Sequence, residues 1–140
     1  MANVLFPKFK EALFAAGINF TTATIKAQLL NTSSADGAGN FYTYNAAHDF
    51  LDDVPSGSRV GTPVTLGSKT ITNGVFDAAD LAFGATTGAS AEALIIYNDT
   101  PSTEATKQLI AYFDTATGLP VTPNGGGINL VWDATGIIIL

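Results

Sequence analysis

The sequence predicts an all-β fold, an antiparallel β-sandwich of jelly-roll type with a short N-terminal helix. Three observations predict it. Apolar and polar residues alternate through most of the chain, about eight short runs of this kind recur between turn residues, and only the first segment carries helical periodicity. About eight short antiparallel strands close naturally into two packed sheets. With 140 residues and 46% hydrophobic content, the chain is expected to form one domain over residues 1–140. Residues 1–17 form its helical segment, and no disulfide or metal staple is needed.

Residues 4–16 are expected to form an amphipathic helix, because Phe6, Phe9 and Leu13 recur at three- and four-residue spacing with Leu5, Ala12 and Ala16 beside them. Pro7 suits the first turn and Gly17 a left-handed C-terminal position. This apolar stripe serves either the chain's own sheet or a partner. From Thr24 the period falls to two, with Ile25, Ala27 and Leu29 on one face and Thr24, Lys26 and Gln28 on the other, which predicts a strand with one wet side. The polar run from Asn31 to Asn40 reads as a surface loop. Ala46 to Asp53 reads as a helical turn stopped by Val54-Pro55.

Further strands are predicted at Arg59 to Leu66, Lys69 to Thr72, Val75 to Phe83, Glu92 to Asn98, Gln108 to Phe113, Ile128 to Trp132 and Ile137 to Leu140. Asn73-Gly74 marks a two-residue hairpin, since both residue types accept positive φ. The final run, Ile137, Ile138, Ile139 and Leu140, does not alternate. Both of its faces are therefore expected to be covered, either in the middle of a sheet or against a second subunit.

The chemistry-bearing residues are sparse: no Cys, one His and six basic residues against twelve acidic ones. General acid/base and nucleophilic sites draw mainly on His, Cys, Lys and positioned carboxylates, so a non-enzymatic role is expected. A net charge of −6 disfavours nucleic acid, and no apolar run approaches a membrane span. His48 and Asp52 share a face if helical, but two ligands do not hold a metal, and no metal or cofactor is expected. Asp77, Asp80 and Asp114 are the candidate carboxylates for a small hydrolase, read more simply as turn residues. Asn124-Gly125-Gly126-Gly127 resembles a phosphate cradle but leads into a strand with no base downstream, so it is read as a tight turn. Three sequons begin at Asn19, Asn31 and Asn98 and are read as chance matches. The aromatic residues include a possible sugar-stacking set, although Trp132, in phase with Ile128 and Leu130, and Phe113, in phase with Leu109 and Ala111, are placed in the core.

The stretches His48 to Pro55, Asn73 to Asp77, Ala91 to Tyr97 and Asp114 to Gly126, followed by Trp132-Asp133, resemble the capsid cement (decoration) proteins of tailed bacteriophages. The resemblance covers most of residues 48–140. It implies a jelly-roll virion protein, made in the bacterial cytoplasm, that sits as homodimers on the outer surface of an HK97-like capsid. Its partners are then the major capsid protein and a second copy of itself. On this reading Ile137, Ile138, Ile139 and Leu140 are expected near a subunit contact, and Phe6, Phe9 and Leu13 in core or capsid packing. A tail-associated or glycan-binding β-sandwich is the alternative.

Overall fold

A computed structural model describes residues 3–33 and 40–140. The order is β1 (Val4–Leu5), α1 (Pro7–Phe14), β2 (Ile25–Leu30), β3 (Arg59–Thr65), β4 (Thr70–Thr72), β5 (Val75–Asp77), β6 (Leu81–Phe83), β7 (Ala93–Asn98), β8 (Leu109–Phe113), β9 (Ile128–Leu130) and β10 (Ile138–Ile139). The fold is all-β with one short helix. The strands pair antiparallel throughout and form a five-stranded sheet β1-β8-β7-β2-β3, a three-stranded sheet β10-β5-β4 and a two-stranded sheet β6-β9.

The helix is shorter than its periodicity suggested. Val4 and Leu5 pair with Tyr112 and Ala111 instead, because Phe6 precedes Pro7 and is held extended, at φ −62° and ψ 134°. Pro7 then opens the helix without losing a needed N–H. At the other end it is Ala16, with φ 54°, that takes the left-handed position, while the Gly17 N–H bonds to the Ala12 carbonyl at 2.8 Å.

The expectation of one wet face on β2 is also corrected. β2 lies between β7 and β3, and Gln28 on its polar face is only 3% exposed. Val60 opposes Leu29 while Val64 opposes Ala27, so β3 carries extra residues in a bulge that contains Gly61 at φ 66°. The Gln28 amide donates to the Val60 carbonyl at 2.8 Å and so satisfies backbone that the bulge leaves unpaired. β7 and β8 are buried on both faces. On β8, Tyr112 packs on Tyr42 and Tyr44 of the segment after residue 40, and Phe113 on the opposite face packs on Trp132.

The stretch 75–83 is two strands, not one, since Ala78 to Asp80 break the pairing and the Asp80 carboxylate accepts the Trp132 N–H at 2.9 Å. The helical turn expected at 46–53 reduces to a 3-10 turn at Leu51–Asp53. The predicted hairpin forms as read: Asn73 (φ 52°) and Gly74 (φ 79°) turn β4 into β5. The loop expected between Asn31 and Asn40 falls largely at residues 34–39, outside the described residues.

Candidate interaction surface

The helix and the last strand meet at one end of the molecule. Phe9 on α1 packs edge-to-face on Phe20, with centroids 5.7 Å apart, and Phe20 on Phe76 of β5 at 4.6 Å, so an aromatic row ties the helix to the three-stranded sheet. β10 lies on the other side of β5, with Ile138 opposite Phe76. The Leu140 N–H then bonds to the Gly74 carbonyl at 3.0 Å, which clasps the terminal residue onto the hairpin turn.

Above the aromatic row lies an open apolar groove of about 490 Å³, lined by Phe9, Leu13, Phe20, Ile71, Phe76 and Leu140 among others. A second groove of about 440 Å³ adjoins it, lined by Leu5, Lys10, Leu13, Phe14 and Leu140. No acidic residue lines either groove. Around them stand Phe14 at 94% exposure, Ile71 at 55%, Ile139 at 60% and Leu140 at 75%, so four of the five large apolar residues exposed among the described residues gather at this end. Val131 is the fifth.

The residues singled out from sequence therefore divide. Phe6 and Phe9 are buried core, as are Ile137 and Ile138. Leu13 is partly buried between the two grooves, and Ile139 and Leu140 are uncovered. Of the two ways in which the terminal strand was expected to be covered, the place in the middle of a sheet is corrected: β10 is an edge strand whose first residues reach the core and whose last do not. Sequence reasoning missed Phe14 and Ile71. Phe14 sits one residue beyond the apolar stripe, and the alternation of Thr70-Ile71-Thr72 marked an apolar face without saying whether anything covers it.

The other candidates settle into structural roles. The His48 Nδ1 hydrogen-bonds with the Tyr42 hydroxyl at 3.0 Å, and Asp52 lies exposed outside any α-helix, so the two do not share a helical face. Asp53 accepts from the Asp49 N–H at 2.9 Å and closes the turn. Asp77 lies within β5. The backbone N–H of Asp114 donates to the Asn3 side chain at 3.1 Å. The glycine run folds as a turn, in which the Asn124 side-chain Oδ1 accepts from the Gly126 N–H at 3.0 Å and residues 125 and 126 bond to Thr86. Two sequon residues, Asn31 and Asn98, are buried. Tyr42, Tyr44 and Tyr112 line a shallow groove with Glu92 and Asp114, but Tyr42 and Tyr112 present almost no surface. No helix among the described residues is long and apolar enough to cross a membrane.

Three of the six cations, Lys26, Arg59 and Lys107, are held in ion pairs around Asp99 and Glu104. Asp99 receives Lys26 at 2.6 Å and Lys107 at 2.7 Å, and Glu104 receives Arg59 at 2.6 Å. Arg59 also donates to the Leu51 and Val54 carbonyls. Lys8 pairs with Glu11 on the helix, which leaves Lys10 as the cation on the groove rim. Comparison with known protein families finds no match, and comparison with curated proteins finds none either.

Proposed function

We infer that this protein is a structural component of a tailed-phage virion, a jelly-roll decoration protein that binds the outer surface of the capsid and stabilises it by bridging neighbouring capsomers. The observation that carries this reading is the uncovered apolar end, where Phe14, Ile71, Ile139 and Leu140 stand exposed while Val131 is the one other exposed large apolar side chain among the described residues. A contiguous patch of this kind marks an interaction surface. The sequence resemblance supplies the partner, the major capsid protein, and the physics of the shell supplies the benefit. A subunit at each junction adds contact area throughout a symmetric lattice, where many weak contacts act together through effective concentration.

Quantitative mass spectrometry of purified particles tests this reading. Hundreds of copies per particle, comparable with the major shell protein, are expected. About six or twelve copies would favour the tail-associated alternative, and absence from the particle would end the virion reading. Glycan binding is the weaker alternative, because of the three tyrosines in the shallow groove only Tyr44 is partly exposed.

A further inference from the structure

We propose that a recess beside Trp132, continuous with the apolar end, is the socket for one basic side chain, arginine before lysine, carried by the protein's binding partner. For the partner's identity the inference rests on the capsid reading. The socket itself is argued from its walls.

Size and shape come first. The recess holds about 230 Å³, below the ~300 Å³ at which pockets for whole small ligands begin, and so takes a single long side chain. Its walls are fixed. Trp132 donates its backbone N–H to the Asp80 carboxylate at 2.9 Å and its indole N–H to the Ala79 carbonyl at 3.2 Å, and its ring meets Phe113 edge-to-face with centroids 5.3 Å apart. Asn3 Oδ1 accepts from the Asp114 and Thr115 N–H groups and from the Thr115 hydroxyl, which pins a second wall.

Charge comes second. Asp133 lines the recess, and the Thr135 N–H and hydroxyl both bond to its Oδ1, at 2.8 and 2.7 Å. These bonds hold the carboxyl below the ordinary carboxylate range and leave Oδ2 without a hydrogen-bond partner among the described residues. None of the six basic side chains lines the recess. Five are bonded elsewhere, to Glu11, Asp99, Glu104 and the Ala23 carbonyl, and Lys10 lies on the second groove. An ionised carboxylate beside aromatic rings, with no basic side chain of its own chain around it, complements a cation from outside. Arginine suits the walls better than lysine, because its planar guanidinium stacks on an indole and still forks to the Asp133 carboxylate and the Thr117 hydroxyl.

Continuity comes third. Val131, the one exposed large apolar residue outside the apolar end, lines this recess and offers a surface for the aliphatic stem of an entering side chain. From the recess a shallow cleft of about 100 Å³, walled by β1 on one side and β10 on the other, leads to the groove beside Phe14, which it meets at Leu5. One partner surface lying across the apolar end therefore reaches the socket as well. Tryptophan and arginine in a pocket ringed by apolar contacts is the composition in which binding energy concentrates.

An NMR titration of the full chain with N-acetyl-arginine amide tests the socket. The probe is expected to shift the Trp132 indole N–H and the Thr117 and Asp133 amides below about 100 mM, the weak range of a lone side chain, while its neutral isostere, N-acetyl-citrulline amide, leaves them in place. Asp133→Asn should weaken the arginine response about threefold. No response to arginine up to about 100 mM, or an equal response to citrulline, would overturn the proposal. A response to methyl glycosides alone would reassign the recess to a neutral sugar and overturn it too. Particles that lack the protein supply a second measurement. Asp133→Lys, with the fold retained by circular dichroism, should bind them at least about tenfold more weakly than the wild type, and Asp133→Asn should fall between the two. Undiminished binding of Asp133→Lys would sink the socket while the capsid reading stands. A wild type that takes the arginine probe but is absent from virions would sink the capsid reading alone.

Discussion

Asp99 holds together more of the main sheet than any other ion-paired residue described. It follows β7, and its two oxygens receive Lys26 from β2 and Lys107 from the approach to β8, so one carboxylate clips three neighbouring strands at the same end. Burial raises its pKa, but hydrogen bonds from Lys107 and Lys26 outweigh that and hold the carboxyl below the ordinary carboxylate range. A folded-state pKa below the unfolded one stabilises the fold above the unfolded value, near 4, and the gain is lost as pH falls through the folded value. Glu104 is held low by the hydrogen bond from Arg59, with the same sign but less weight because it is half exposed. Urea unfolding should therefore give constant stability through neutral pH and a decline below about pH 4. Replacing Asp99 with Asn should cost about 1–3 kcal/mol at pH 7, between the values for surface and buried pairs, and flatten the acid limb. An acid limb unchanged in Asp99→Asn would locate the titration elsewhere. At the β3 bulge, Gln28→Ala should cost about 1–3 kcal/mol, since it leaves the buried Val60 carbonyl without its donor.

At the scale of elements, the β4–β5 hairpin and α1 are the parts on which the apolar end depends. A Cβ at Gly74 would lie 3.1 Å from the Leu140 carbonyl oxygen in a left-handed conformation, so Gly74→Val should strain the turn and loosen the clasp on Leu140 together. The expected cost is about 1–3 kcal/mol, read as a lowered denaturation midpoint with faster amide exchange in β10. Phe9→Ala, which empties the aromatic row under the helix, should cost about 3–5 kcal/mol. These elements also mark how far sequence carried. The hairpin was legible because Asn73-Gly74 acts through local φ alone, and β7 and β8 were legible as unbroken apolar runs. β1 was not, because Val4 and Leu5 suit a helix or a strand equally by period, and the deciding restriction of Phe6 by Pro7 was outweighed by the longer stripe. The composition of β2 was legible but its wet face was not, since Gln28 is covered by the bulge in a strand some thirty residues away and Lys26 is drawn to Asp99 beyond β7. The candidate surface was half legible for the same reason: Leu13, Ile139 and Leu140 carried an apolar signal, but which apolar residues a neighbour covers is set by the order β10-β5-β4 and not by period.

At the scale of the molecule, one hydrophobic cluster runs from Phe6 and Phe9 of the helix through β2, β7 and β8 to Leu130 and Ile138, so the three sheets share a core. A single core of this kind unfolds in one cooperative step. If two such molecules are joined at their apolar ends, where the sequence resemblance puts a subunit contact, unfolding and dissociation become one event, and the midpoint must then depend on concentration by mass action. Globular chains of this length absorb about 100 kcal/mol per copy on melting, so each tenfold rise in protein concentration should lift Tm by about 2–3 °C. Calorimetry over two decades of concentration measures this directly. In Phe14→Asp the dependence should vanish while the per-chain enthalpy stays near the wild-type value, because Phe14 lies outside the shared core and its loss removes only the joint. A Tm that moves with concentration equally in both proteins would mean that the copies are held together through some other face.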